Sequence, residues 1–150
     1  MDHMKKFLSL SFLMTISIYA ICQTTSSFAA DADKAFARIK EGAFKNGYEY
    51  LIKFGPTREA AINVKPNTAY VIFFVYDNTN HPAPDFQVHL MTPDSALQKK
   101  YTLKPYDRAQ IGVARAFQLQ YRTPQFTAGE TRPVKLEAKP DANIYVFYKK

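Results

Sequence analysis

A polar segment between two apolar stretches carries the side chains of this sequence that are best suited to binding a cation. Its oxygen-bearing side chains are Asp77, Asn78, Asn80 and Asp85. Carboxylate and amide oxygens are the ligands that calcium prefers. Their spacing differs from that of the helix–loop–helix calcium loop, and the same residue types stabilise turns. We therefore interpret the segment first as a connection between strands, with calcium binding as the alternative; no other cofactor is expected.

Two histidines in the same region offer a different chemistry. His81 and His89 are the only histidines beyond residue 29. Catalytic zinc usually takes three protein ligands, so a metal-dependent hydrolase would need Asp85 as well, in a loop that folds back. His89 otherwise falls at a polar position of a strand, as a histidine on a sheet face does. Since no G-x-S-x-G stretch occurs, we expect no enzymatic activity and assign no catalytic residue.

An aromatic and basic mixture in the second half of the chain indicates a ligand surface. Tyr101, Tyr106 and Tyr121 have lysines and arginines near them in the sequence, a mixture that binds glycans or single-stranded nucleic acid by stacking. Arg115 interrupts the apolar positions of its strand, where it would bind an anion or extend its stem over apolar surface toward solvent. Ordinary tyrosines on sheet faces are the alternative interpretation.

The N-terminus has the layout of a secretory signal peptide. Lys5 and Lys6 precede an uncharged apolar core, residues 7–21, and Ser27-Phe28-Ala29 supplies small residues for signal peptidase. This core of about 15 residues is shorter than the ~20 that a membrane-spanning helix needs. We predict cleavage near Ala29, which defines residues 1–29 as the signal peptide, and a periplasmic or secreted mature chain without a transmembrane segment. Cleavage after Cys22 is the second choice.

Export has consequences for charge and for cysteine chemistry. Removal of residues 1–29 takes away Lys5, Lys6 and Asp2, so the formal charge falls from +7 to +6. The one cysteine, Cys22, is lost too, which excludes disulfides and thiolate metal sites from the mature chain. The remaining charge is spread along the chain, which favours solubility over an anionic partner such as lipid head groups or glycans. Export also argues against nucleic acid.

Hydrophobic periodicity changes once along the mature chain. Residues 30–47 show helical spacing, with Phe36, Ile39, Ala43 and Phe44 on one face, and the apolar residues alternate after that. Strands are predicted at residues 48–54, 58–64, 69–76, 86–90, 97–103, 110–121, 134–138 and 144–148, with turn signals that include Gly55-Pro56 and Pro140-Asp141.

The strand pattern predicts the fold class. Continuous apolar character at residues 69–76 is typical of a central strand with both faces covered. No second helical pattern separates the strands, which argues against a parallel sheet. We expect residues 48–150 to form a mainly β domain after one short helix: an antiparallel β-sandwich, jelly-roll or immunoglobulin-like, of about seven or eight strands.

A series of short motifs follows a recognisable order. Lys65-Pro66-Asn67 precedes Tyr70-Val71-Ile72, and Asp77 precedes the strand Asp85-Phe86-Gln87-Val88-His89-Leu90. This order resembles the pre-peptidase C-terminal type of β-sandwich domain, found beside secreted bacterial enzymes. The resemblance implies an accessory module that binds or packs rather than catalyses. Gln87 stands where that family often has a second aspartate, which argues against an inherited calcium role.

These observations together predict an exported, non-enzymatic binding or accessory module. Its partner would be a protein or a polysaccharide of the cell envelope. Two alternatives belong to other classes. One is a structural or assembly subunit that pairs through an exposed strand edge, and the other is the metal-dependent hydrolase built on His81, His89 and Asp85.

Overall fold

The computed structural model describes residues 27–80, 83–91, 100–127 and 129–150. In this part of the chain, one helix, α1 (Phe28–Lys45), precedes seven strands. The strands are β1 (Glu49–Val64), β2 (Ala69–Asp77), β3 (Asp85–Met91), β4 (Lys100–Leu103), β5 (Tyr106–Ile111), β6 (Ala114–Arg122) and β7 (Arg132–Lys149). Among the described residues, no helix combines the length and the apolar composition that spanning a bilayer requires.

All seven strands pair antiparallel in one curled sheet. Their order is β4-β3-β7-β2-β6-β5, and β1 pairs with the remaining side of β7. Along β7, residues 134–139 pair with β3 and residues 143–149 pair with β2. Strand β1 occupies one side of β7 for nearly its whole length, so β3 and β2 both pair with the opposite side of β7. The sheet therefore has two halves: the β3 half, with β4 and the start of β7, and the β2 half, with β5, β6 and the end of β7.

Aromatic side chains fill the space between the two halves. The Phe86 ring of β3 stacks on Phe74 of β2 at a centroid distance of 5.0 Å. It also meets Tyr76 and Phe117 edge-on, at 5.3 Å each. Since β3 has no backbone ladder with β2 or β6 in the described chain, these side chains hold the halves together. The predicted class, mainly antiparallel β with one N-terminal helix, is confirmed, and the facing halves are compatible with a sandwich.

Helix α1 covers the outer face of the β2 half. The helix buries Ala32, Ala35 and Ala43 against the sheet, and β6 contributes Ala114 and Ala116 beneath it. Small side chains on both surfaces let the helix approach closely. These residues form a second core on the face of β2 that is opposite to the aromatic core between the two halves, so residues 70–76 are all buried. The prediction of a central strand with both faces covered is thereby confirmed.

The helix differs from its prediction at both ends. It begins at Phe28, behind the N-cap Ser27, whose side chain accepts a hydrogen bond from the Ala30 N–H. Cleavage near Ala29, which stays a prediction, would remove this first turn. At the other end, the predicted burial of Phe44 is wrong, since its side chain is 47% exposed. Residue 44 lies about 100° around the helix from the buried Ala43.

A buried carboxylate joins α1 to the turn between β5 and β6. Asp31 is 2% exposed, and its Oδ2 accepts a hydrogen bond from the Val113 N–H at 3.0 Å. Gly112 has a φ of +55°, in the left-handed region that favours glycine. The predicted single strand at 110–121 is therefore wrong, because Gly112 and Val113 turn the chain between two paired strands.

Two predicted turns are bends inside long strands. Gly55-Pro56 lies within β1, and Pro140-Asp141 lies within β7. The register between these strands shifts between Phe54 and Thr57 and again before Glu59, so bulges form where both strands bend. Proline is tolerated at such bulges, which is why these residues do not end the strands. Of the predicted strand at 97–103, residues 100–103 form β4, and residues 97–99 lie outside the described part of the chain.

Candidate functional site at the bend of the sheet

An open groove of about 1110 Å³ lies where β1 and β7 bend. Pro56 and Pro140 line it from the two bends, Asp77 from the end of β2, Asn80 from the β2–β3 connection, and Phe28 from the start of α1. These segments are far apart in the sequence, so only the folded chain forms this surface. We call it the bend groove.

Charged residues of both signs line the bend groove. Strand β1 supplies Arg58 and Glu59, and β7 supplies Glu137, Lys139 and Asp141. Arg58 Nε donates a hydrogen bond to Asp141 Oδ1 at 2.9 Å. Both side chains of this pair are exposed, so the pair adds at most about 1 kcal/mol to stability. A ligand can compete for such a contact.

Lys135 links two carboxylates beside the groove. Its Nζ lies 2.8 Å from Glu137 Oε1 and 3.2 Å from Glu59 Oε1. The hydrogen bond from Lys135 is the main cause that lowers the pKa of Glu137 to about 2, and the nearby His89 adds to it. Glu137 is therefore ionised at neutral pH and gives the groove a fixed negative charge.

Acid is expected to weaken the fold through Glu137. Its pKa is about 2 in the folded chain against an ordinary 4.5, so its contribution to stability is complete above pH 4.5 and is lost as the pH falls toward 2. The free energy of unfolding in urea should therefore fall less steeply over this range in Glu137→Gln than in the wild type. Lys135→Gln should flatten the dependence too, because it removes the main cause of the lowered pKa.

The control for this pH series is Glu130→Gln, which changes an exposed carboxylate outside the groove. It should keep the acid sensitivity of the wild type. If the free energy of unfolding fell equally steeply with pH in the wild type, in Glu137→Gln and in Lys135→Gln, the prediction would be contradicted.

The fold gathers three of the four predicted cation ligands. Asp77, Asn80 and Asp85 line the bend groove. The fourth, Asn78, accepts a hydrogen bond on Oδ1 from the Tyr76 hydroxyl at 2.8 Å. This contact ties Asn78 to the aromatic core rather than to the groove.

Local hydrogen bonds shape the connection that carries these residues. Asp77 Oδ1 accepts from the Thr79 N–H at 2.9 Å and from its hydroxyl at 2.6 Å, which is an Asx turn. Gln87 Nε2 donates to Asp85 Oδ2 at 2.9 Å. Within the ranges that the structure describes, no three His, Cys, Asp or Glu side chains are grouped so that they could hold a metal ion. Calcium binding stays a prediction.

His89 belongs to a chain of polar contacts across three strands. Its Nδ1 lies 2.9 Å from Thr102 Oγ1 on β4, and its Nε2 lies 3.0 Å from Glu137 Oε2 on β7. Hydroxyl, imidazole and carboxylate are the groups of a nucleophilic triad. No sequence motif reveals this arrangement, because it depends on how β3 pairs with both neighbours. His89 is only 4% exposed, so its ring bridges the strands from within. His81, the other histidine of the predicted zinc site, lies outside the described residues.

The four predicted ligand-binding residues are spread over three strands. Arg115 of β6 forms an ion pair with Asp107 of β5. Tyr121 packs against the core further along β6, where burial raises its pKa; at about 3.3 Å per residue it lies about 20 Å from Arg115. Tyr101 of β4 and Tyr106 of β5 are 53% and 49% exposed. The fold does not bring these residues together, and their ligand role stays a prediction.

Comparison with known proteins gives only weak structural likeness. No family model and no curated protein matches the chain. A solved structure described as "Family 16 Carbohydrate Binding Module-2" is similar at 15% sequence identity and a TM-score of 0.33, over 65% of this chain and 74% of that one. A likeness at this level carries no argument about ligand or activity.

Proposed function

We propose that this chain is an exported, non-enzymatic binding module and that the bend groove is its ligand site. One observation carries the proposal: the groove gathers carboxylates, amides and cations from two strand bends, one connection and the start of β3 around a single open volume. Concave surfaces with converging polar groups are where ligands usually bind. The predicted signal peptide supports export to the periplasm or beyond.

The ligand class that we propose is a polysaccharide. Arg58 and Lys139 supply hydrogen-bond donors to the groove, and Glu59, Asp85 and Glu137 supply acceptors. Sugar hydroxyl groups donate and accept, so they suit a wall that offers both. The volume of about 1110 Å³ also exceeds the range of about 300–1,000 Å³ that is typical of small-molecule pockets. It leaves room for more than one sugar ring.

Two observations support binding without catalysis. The imidazole of His89, the only histidine among the described residues, is buried between Thr102 and Glu137. Glu137 itself is held ionised by Lys135. An efficient general acid or base must reach the substrate and have a pKa near the operating pH. His89 is buried, and Glu137, with a pKa of about 2, is a weak base that holds no proton to donate at neutral pH.

Free strand edges support the alternative of an assembly subunit less strongly. In the described chain, β1, β4 and β5 each pair on one side only, and such an edge accepts a strand from a partner. The longest of them, β1, has 16 residues. It contains Pro56 and several register shifts, which are features that protect an edge from pairing.

Affinity electrophoresis tests groove binding with a pair of charge-neutral double variants. Protein purified after expression of the full chain is run in gels that contain glucan, mannan, xylan or soluble peptidoglycan fragments. We expect at least one polymer to retard the wild type. Arg58→Gln combined with Asp141→Asn should weaken that retardation by about five- to 150-fold, because each of the two lost hydrogen bonds contributes about 0.5–1.5 kcal/mol.

The matched control removes another exposed ion pair, far from the groove. Glu41→Gln combined with Lys45→Gln deletes the 2.7 Å contact on α1 and also leaves the net charge unchanged. This variant should migrate like the wild type. Retardation by none of the polymers, or equal losses in both double variants, would overturn the groove proposal. New reducing ends in the polymer would overturn the non-enzymatic part.

A further inference from the structure

One flank of α1 carries aromatic rings and lysines beside the start of β1. Phe36, Lys40 and Phe44 follow at intervals of four residues and therefore line one side of the helix. The Phe36 ring meets Tyr50 of β1 edge-on at 5.8 Å, so this side faces β1. We call the surface formed by Phe36, Lys40, Phe44, Tyr50, Leu51 and Lys53 the aromatic–lysine flank.

The flank exposes large apolar side chains to solvent. Phe44 is 47% exposed, Tyr50 40% and Leu51 42%. Leu51 lies at a register shift between β1 and β7, where the bulge turns it out of the regular ladder. Apolar side chains that cluster on a surface mark an interaction site, whereas an isolated one does not.

The lysines of the flank are available to an anionic partner. Lys40 Nζ lies 5.5 Å from the Phe44 ring centroid, and Lys53 Nζ lies 5.5 Å from that of Tyr145. Neither lysine forms an ion pair with a carboxylate in the described chain, in contrast to Lys45, which pairs with Glu41. The chain keeps a formal charge of +6 after the predicted cleavage, which adds long-range attraction to a negative surface.

The geometry of the rings disfavours a glycan at this surface. The Tyr50 ring is inclined by 60° to Phe36 and by 63° to Phe147, so the rings form no flat platform for a sugar. The lysine ammonium groups lie over the Phe44 and Tyr145 rings. Three exposed apolar side chains are also few for a stable protein interface, which takes about 20–30 residues on each side.

We propose that the aromatic–lysine flank docks on a membrane surface that contains anionic lipids. Its rings and Leu51 would enter the boundary between head groups and acyl chains, while the lysine stems follow the apolar surface and their ammonium groups bind lipid phosphates. Phe44 lies about 24 Å along α1 from Phe28 at the bend groove. A docked protein therefore leaves the groove open to its own ligand, and the docking does not depend on the proposed function.

Vesicle co-sedimentation tests this docking directly. Protein purified after expression of the full chain is mixed with vesicles of phosphatidylcholine and phosphatidylglycerol, or with phosphatidylcholine alone. We expect binding to the mixed vesicles and little to the neutral ones. Phe44→Ser with Tyr50→Ser should weaken binding at least tenfold, and Lys40→Gln with Lys53→Gln should weaken it about fivefold per lysine at low salt.

Two control variants elsewhere on the surface test whether vesicle binding depends on the flank itself or on any exposed ring and any positive charge. Tyr101→Ser with Tyr106→Ser changes rings that are at least as exposed, and Lys65→Gln with Lys104→Gln removes the same charge; both should bind like the wild type. Absence of binding to the mixed vesicles, equal binding to neutral vesicles, or equal losses in flank and control variants would overturn the proposal. If the wild type bound no vesicles but self-associated, and the flank variants abolished that self-association, the flank would be assigned to contact with a second copy of the chain instead.

Discussion

Replacing Phe86 with alanine is expected to lower the free energy of unfolding by about 4 kcal/mol, within the range for a buried phenylalanine. Phe86 is 3% exposed, and its ring contacts Phe74, Tyr76 and Phe117 from across the core. Its loss leaves a cavity where the two halves of the sheet meet. For a domain of this size the melting temperature should fall by about 15 °C. Urea unfolding followed by far-UV circular dichroism measures the effect, since the chain has no tryptophan.

The control for this cavity is a phenylalanine of the same size at the surface. Phe44 is 47% exposed, and its removal costs only a weak contact with Lys40. Phe44→Ala should change the free energy of unfolding by less than about 1 kcal/mol. If the two variants lost similar stability, the aromatic cluster would not be what holds the halves together.

The fold class was predictable because local periodicity reports which face of an element is buried. The continuous apolar run of β2 predicts its central place, and the alternation along β3 predicts that Phe86, Val88 and Leu90 enter the core. The alternation does not predict that His89, at a polar position of β3, is buried as well. The errors arise where a turn or a bend leaves the alternation intact. Gly112 and Val113 form a turn without breaking the pattern of the flanking residues, and Pro140 bends β7 without ending it.

The candidate site was predictable only in part, because its walls come from distant segments. Asp77, Asn80 and Asp85 share one short segment, so composition alone marks them. Glu137 and Arg58 resemble any charged residue of a strand, and the sequence does not reveal that the paired bends of β1 and β7 place them in the same groove. Register between strands that are far apart in sequence is a property of the whole sheet.

A second large effect is expected at the turn that holds α1 in place. Gly112→Ala should cost about 3 kcal/mol. The φ of +55° is unfavourable for alanine by about 1–2 kcal/mol, and the new Cβ would overlap Asp31 Oδ2 and lie 2.6 Å from Asp31 Cγ. Relief requires Asp31 to move and give up its bond to the Val113 N–H, and a hydrogen bond to a charged group contributes about 1.5–3 kcal/mol.

A glycine in α1 provides the control for this substitution. Gly42 has no atom within 4 Å of its would-be Cβ and lies inside the helix. Gly42→Ala should therefore raise the free energy of unfolding by about 0.5–1 kcal/mol. The two glycine-to-alanine variants are expected to change stability in opposite directions in the same urea experiment.

A double-mutant cycle separates backbone strain at Gly112 from the clash with Asp31. In an Asp31→Ala background the obstructing carboxylate is absent, so Gly112→Ala should cost only the backbone strain of about 1–2 kcal/mol. An undiminished cost in that background would contradict a role for Asp31 in the penalty. Since α1 carries Phe36, Lys40 and Phe44 of the aromatic–lysine flank, the contact between Asp31 and the β5–β6 turn fixes the helix that contributes to this proposed binding surface.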